Sequence, residues 1–402
     1  MQAAGIILEY NPLHNGHVYL LEETRRLLGA ETAIIGIMSG DFVQRGDFAI
    51  VRRQARAKAA IESGVDLVLE LPLPWAVASG ERFADGGVEI LEKTGVATHL
   101  VFGSECGDAA PLKRVASALI SEELKPLLQQ ELRKGSSFAA ARQRAVEKLV
   151  SAEEASLLES PNNILGVEYC KALLRRESGI RPLTIKRQGT AYHGTELEGI
   201  LASATLIRRL LRDGEREQAL ELMAPAMQRA YLEEEAAGRA PVLSEVCERA
   251  ILARLRSMPE EGFAGLDEGR EGLCNRLYNA SRTAVSVEEI LKTAKTKRYA
   301  YARLRRMVLW AWLGLTPAEF SRGVPYLRVL AANETGRNVL ARMKKTAAVP
   351  ILTKPNHVRR MSEEAQKLFR LEAQAADLYA LAYPDLSAAV GDSLWKEGPV
   401  IR

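Results

Sequence analysis

Short apolar runs alternate with longer amphipathic stretches through the first half of the chain. Gly5 to Leu8, Ala33 to Met38, Val65 to Leu71 and His99 to Phe102 are each too short for a helix and are bounded by polar or turn-forming residues. They predict strands buried on both faces. Pro72 and Pro74 stop the third. Between the first two, Val18, Leu20, Leu21, Leu27 and Leu28 are interrupted by Glu22, Glu23, Arg25 and Arg26, which predicts an amphipathic helix from Gly16 onward. A further helix is predicted over 84–94 and a further short strand over 183–186. This alternation points to an α/β fold with a doubly wound parallel sheet. Residues 111–159 read as a helical cover without chemistry of its own. Beyond Asp213 the pattern is mainly helical, over 219–237, 244–257, 272–281, from Ser286 and over 295–314, with short strands at 326–331 and 350–353 around a basic helix at 336–345. The expected organisation is a catalytic domain over 1–215 and a mainly helical domain over 216–402.

Composition narrows the class. The chain has 402 residues, 47% apolar and 26% charged, as soluble globular proteins do. A net charge of +4 means that any nucleic-acid surface must come from local clustering of basic residues. Cys106, Cys170, Cys247 and Cys274 show no C-x-x-C spacing, which predicts a reduced, cytoplasmic protein with no structural metal. Glu9 interrupts the first apolar segment, so no signal peptide is expected. No apolar run approaches membrane-spanning length.

The densest chemistry lies at the first strand-to-helix turn. Asn11-Pro12 breaks the strand, and His14-Asn15-Gly16-His17 follows where a helix begins. A helix N-terminus offers N–H groups and the positive end of its dipole to phosphate. Gly16 permits close approach, and two imidazoles add donors for an α-phosphate that gains charge during in-line displacement. An isolated H-x-x-H could equally be a helix cap or half of a metal site, but no cysteine or histidine cluster lies near it in sequence. Neither a Walker loop nor a dinucleotide G-x-G-x-x-G is present.

Other segments are weaker by themselves. Asp41, Gln44, Arg45 and Asp47 precede a helix with Arg52, Arg53, Arg56 and Lys58, either a second-substrate loop or a solvated loop and basic face. Gly103 lies at a strand end, where a base or ribose could rest on the backbone. Asn162 and Asn163 precede an apolar helix as caps or as donors to a nucleotide. Arg187, Gly189, Tyr192 and His193 follow the 183–186 strand. In ILASATLIRRLL, Ser203 and Thr205 open a helix and Arg208 lies one turn in, an arrangement that caps a helix or grips outer phosphates. Residues 295–314 interleave Lys295, Lys297, Arg298, Arg303, Arg305 and Arg306 with Tyr299, Tyr301, Trp310 and Trp312. They read as an RNA-binding element or as a basic face over an ordinary core.

The H-x-G-H turn resembles the nucleotidylyltransferase superfamily, and S-A-T-L-I-R resembles its second signature, with Ala204 in place of a serine. GIILEYNPLHNGH, SGDFVQRGD, SGVDLVLELP, FGSE, SPNNILG, ASATLIR and KTKRYAYARLRR together resemble the bacterial tRNA(Met) cytidine acetate ligase family. The resemblance implies a Rossmann-like, nucleotidylyltransferase-like domain that activates acetate with ATP to acetyl-adenylate. It then transfers the acetyl group to the wobble cytidine of elongator tRNA(Met). ATP contacts would fall on Ile7, Leu8, Glu9, Tyr10, Asn11, Pro12, Leu13, His14, Asn15, Gly16, His17, Val18, Tyr19 and Leu20, and on Gly103, Asn162 and Arg187. On this reading His14 and His17 are catalytic, Ser203, Thr205 and Arg208 hold phosphates with Mg2+, and Lys297, Arg298, Arg303, Arg305 and Arg306 meet tRNA. Residues 41–58 are the expected acetate side, and the oligomeric state is left open. Two alternatives stand beside it: an enzyme joining AMP to a small phosphorylated metabolite, and an RNA-binding protein with a regulatory nucleotide site.

Overall fold

In the computed structural model, residues 2–135, 138–187, 203–269, 272–296, 299–320 and 323–402 are described. The strands in chain order are β1 (Ala3–Leu8), β2 (Ala33–Ser39), β3 (Phe42–Val43), β4 (Asp47–Phe48), β5 (Leu67–Leu71), β6 (His99–Ser104), β7 (Arg181–Lys186), β8 (Leu327–Ala332), β9 (Ile351–Leu352) and β10 (Val400–Ile401). Eight of them form one sheet in the order β10-β8-β5-β2-β1-β6-β7, with β9 also on β8. β1 and β2 run parallel in register from Ala3↔Ala33 to Leu8↔Met38. The β2–β5, β1–β6 and β6–β7 pairs are parallel too, whereas β8 lies antiparallel to β5.

Alternate residues of the central strands feed two different cores. Ile35, Ile37, Leu67, Leu69, Leu100 and Phe102 belong to one hydrophobic cluster, and Ile34, Met38, Val68 and Val101 to another. Helices therefore cover both faces, which explains the continuous apolar runs in sequence. Gly5 lets the helix Gly80–Thr94 sit close to β1, since a Cβ there would lie 2.3 Å from Leu91 Cδ2.

Residues beyond 215 are mainly helical, yet they also complete the sheet through β8, β9 and β10. The edge of the sheet therefore does not coincide with the boundary expected at residue 215. A third cluster fills the helical part, and the β3–β4 hairpin sends Phe42 and Phe48 into it. Phe48 stacks on Trp312, with ring centroids 5.3 Å apart.

Candidate active site

Strand order sets the position of the site. From β1 the chain builds outward through β2 and β5 on one side, and later through β6 and β7 on the other. The two halves diverge between β1 and β6, leaving a crevice at the carboxyl ends of these strands. The turn after β1 carries His14 and His17 to one wall of the crevice, and Gly103 and Ser104 end β6 on the other.

The helix Asn15–Leu28 begins at that turn, with His14 as its N-cap. His14 Nδ1 accepts from the Gly16 N–H at 3.1 Å, and His17 Nδ1 accepts from the His14 N–H at 3.2 Å. The two rings stack at 3.8 Å, and Tyr10 lies against His17 at 4.9 Å. Burial, and then the nearby Arg187 charge, lower the His14 pKa to about 4. Burial, His14 and Arg187 push His17 well below its ordinary value. Both rings are therefore neutral near pH 7. A neutral imidazole that accepts at Nδ1 carries its proton on Nε2, so the turn holds two oriented Nε2–H donors.

The second signature meets the first directly. Ser203 caps the helix Ala204–Arg212, accepting from the Leu206 N–H at 3.2 Å. One turn on, Arg208 donates through Nη1 to the Asn11 carbonyl at 2.6 Å and through Nη2 to Thr205 Oγ1 at 3.2 Å. Ile207 and Leu211 share a core cluster with Leu8, Tyr10 and Leu13. The Ala224 N–H donates to the Leu13 carbonyl at 3.1 Å, tying the start of the helix Pro225–Ala236 to the same turn. Asn11 is fixed from its other side by the Ile50 N–H, 2.7 Å from Oδ1.

On the opposite wall, Arg187 follows β7, and its N–H donates to the Ser104 carbonyl at 2.9 Å. A Cβ on Gly103 would stand 3.3 Å from the Arg187 side chain, so the glycine keeps this wall shallow. Asn162 and Asn163 lie in the first turn of the helix Pro161–Arg175. Glu105 accepts from the N–H groups of Asn162 and Asn163 at 3.2 and 2.7 Å, and from Asn162 Nδ2 at 2.7 Å. Asn163 Oδ1 in turn accepts from the N–H groups of Glu105 and Cys106. The helix cap is thus Glu105, while the asparagines lock the loop that follows β6.

The segment 41–58 is not a solvated loop with a basic helix face. Arg53 is buried between Asp41 and Glu70, 2.7 Å from the latter, and Glu70 also receives Arg328 at 2.9 Å. Arg56 is fully buried, donating to the carbonyls of Val51, Glu9, Ser39 and Gly40. Arg52 pairs with Glu234 and Glu397, and Lys58 with Glu233. Arg56 thus secures the ends of β1 and β2, a role with no local sequence signal because its acceptors are main-chain atoms. The hairpin tip is also held: Glu9 Oε1 accepts from the Gln44 N–H at 2.7 Å, and burial raises the Glu9 pKa.

The basic-aromatic element forms the helix Tyr301–Leu313, and most of it faces inward. Arg306 is 8% exposed and bound to Glu268 at 2.6 and 2.7 Å. Arg303 donates to the Glu268 carbonyl at 3.0 Å, and Arg305 lies 3.4 Å from Asp47. Tyr299, Trp310 and Trp312 are core residues, and Trp310 Nε1 donates to the Val77 carbonyl at 2.8 Å. The expectation that these groups meet an RNA backbone and its bases is corrected for Arg306 and the buried rings. Their partners are carboxylates and core atoms of this chain. Lys297 and Arg298 lie outside the described residues, as do Gly189, Tyr192, His193 and the start of the second signature, Ile200 to Ala202.

Among the described residues no three His, Cys, Asp or Glu gather as metal ligands, and no helix is long and apolar enough to cross a membrane. The chain matches the HIGH Nucleotidyl Transferase family over residues 1–392. It is 40% identical to the tRNA(Met) cytidine acetate ligase of Caldicellulosiruptor saccharolyticus, over 96% of this chain and 95% of that one. The corresponding protein of Acetivibrio thermocellus is 36% identical over 95% of each chain. The crystal structure of Thermotoga maritima TmcAL bound with alpha-thio ATP superposes with a TM-score of 0.93 at 33% identity, covering 100% of this chain and 99% of that one. Its apo form gives 0.95 at 34% identity, with the same coverage. The chain belongs to the HIGH nucleotidyl transferase family and, within it, to the tRNA(Met) cytidine acetate ligase family.

Proposed function

We propose that this protein is a cytoplasmic, ATP-dependent ligase that forms acetyl-adenylate from acetate and transfers the acetyl group to the wobble cytidine of elongator tRNA(Met). The observation that carries the reading is the 2.6 Å bond from Arg208 to the Asn11 carbonyl, which joins the two phosphate-binding signatures across the β1 turn. ATP would lie over residues 7–20, with its base and ribose toward Gly103, Asn162 and Arg187. The Nε2–H groups of His14 and His17 would donate to the α-phosphate. An acetate oxygen attacks that phosphorus as its bond to the β-phosphate oxygen breaks, and Ser203, Thr205 and Arg208 would hold the departing pyrophosphate. Mg2+ would arrive with the nucleotide, bound by phosphate oxygens and water. Acetate would enter beside residues 41–58, where the Arg45 charge acts on both Glu9 and Arg208. In the second step the exocyclic amine of cytidine attacks the acetyl carbon, AMP leaves and the amine gives up a proton. No enzyme nucleophile is required.

The test is pyrophosphate release from ATP with and without acetate and elongator tRNA(Met), followed by mass analysis of the tRNA nucleosides. Acetate-dependent release with one acetyl group added to cytidine is the expected result. Release only with a phosphorylated metabolite, over unmodified tRNA, would replace this reading with an adenylyl transfer.

A further inference from the structure

Positive charge is concentrated away from the helix that the sequence singles out. Between Thr335 and Ser362 stand seven of the chain's 55 Lys and Arg and none of its 51 Asp and Glu. The whole chain carries only +4, so the remainder is net acidic. The fold displays this segment outward. The helix Glu334–Thr346 connects β8 to the parallel strand β9, burying Val339 and Met343 while Arg337, Arg342, Lys344 and Lys345 stay exposed. After β9, Val358 is buried and Lys354, Arg359 and Arg360 are exposed. Val339, Met343, Leu352 and Val358 belong to one core cluster, so both stretches pack on the same support. Arg303, Arg305 and Arg306, by contrast, have Glu268, Asp47 and Glu288 against them.

We infer that the β8–helix–β9 edge, through Arg337, Lys344, Lys345, Lys354, Arg359 and Arg360, is the surface that holds the phosphate backbone of the tRNA. The inference rests on the proposed function for the identity of the RNA. β9 stands four strand positions from β1 in the sheet. At about 4.8 Å per strand, that is a lateral offset of roughly 20 Å. The end of the helix Glu334–Thr346, where Thr346 Oγ1 donates to the Thr94 carbonyl at 3.0 Å, lies at the amino ends of the central strands, about one further strand length from the β1 turn. A nucleotide presented at the crevice and a backbone lying on this edge can therefore belong to one folded RNA. Exposed cations spread over two elements without interspersed carboxylates suit a polyanion recognised by backbone and shape.

The experiment measures tRNA affinity against salt concentration for the wild type, Lys344→Gln/Lys345→Gln and Arg359→Gln/Arg360→Gln. Acetate-dependent pyrophosphate release without tRNA reports on folding. Each double variant should bind tRNA roughly tenfold more weakly near physiological salt, with a salt slope shallower by about 2. Release without tRNA should stay within twofold of the wild type. Wild-type affinity and slope in both variants would overturn the inference. So would an effect confined to binding of phosphatidylserine vesicles, which would make the edge a membrane surface. Weakened binding by the variants, with no acetylcytidine made by the wild type, would leave the RNA surface standing and refute the ligase reading. Normal acetylation and binding by both variants would do the reverse.

Discussion

The two histidines differ from ordinary surface imidazoles because the turn takes up their Nδ1 atoms, buries His14 and leaves His17 half-buried. In the proposed reaction they would act as oriented neutral donors, which stabilise developing charge without reorganising. His17→Ala should lower acetate-dependent pyrophosphate release by about 100-fold or more while leaving tRNA affinity within twofold, as read by a coupled phosphate assay and filter binding. The same burial has a linked cost in acid. His14 binds a proton more weakly folded than unfolded, with a pKa of about 4 against an ordinary 6.5. The unfolded state therefore gains protons first, and stability should fall as pH drops from 6.5 to 4, by up to about 3 kcal/mol from this residue. Urea unfolding at several pH values should show a shallower acid decline in His14→Gln.

At the scale of elements, the decisive contacts join parts far apart in sequence. The β3–β4 hairpin is held by Glu9 from the β1 turn, and Asp47 at its far side receives Arg212 and Arg305. Gly46 has φ +74°, and a Cβ there would fall 2.4 Å from the Arg306 nitrogen, so the hairpin tip rests on the backbone of the helix Tyr301–Leu313. Arg306 is part of that seat. Replacing it leaves Glu268 without its strongest partner, so Arg306→Met should cost about 3 kcal/mol in chemical denaturation. At temperatures where the variant is folded, its tRNA affinity should stay within twofold of the wild type. A tenfold loss of affinity at unchanged stability would restore the helix as an RNA contact.

At the scale of the molecule, the sheet draws strands from both ends of the chain. β8 covers the edge of β5, whose five residues are all buried, and β10 adds to β8 from residues 400–401. A fragment of residues 1–215 would expose that edge and one face of β5. It should show no cooperative thermal transition and should aggregate, whereas the full chain unfolds cooperatively. A soluble, ATP-binding fragment with a sharp transition would show that the C-terminal strands are dispensable.

Strand and helix types, the parallel arrangement and the H-x-G-H turn were legible in the sequence because they depend on short-range pattern. Apolar runs of strand length, a proline break and a glycine beside two histidines act within one turn or one strand of each other. The pairing of Arg208 with Asn11 was foreshadowed by two motifs but decided by the sheet, which brings positions nearly two hundred residues apart to one turn. The fate of individual charges was decided only by tertiary structure. Arg53, Arg56 and Arg306 look in sequence like exposed arginines such as Arg337 or Arg360, yet the first three are buried against acceptors outside their own helices, Glu70, the Glu9 carbonyl and Glu268. A charge's role depends on the dielectric and the partner around it, and folding alone supplies both.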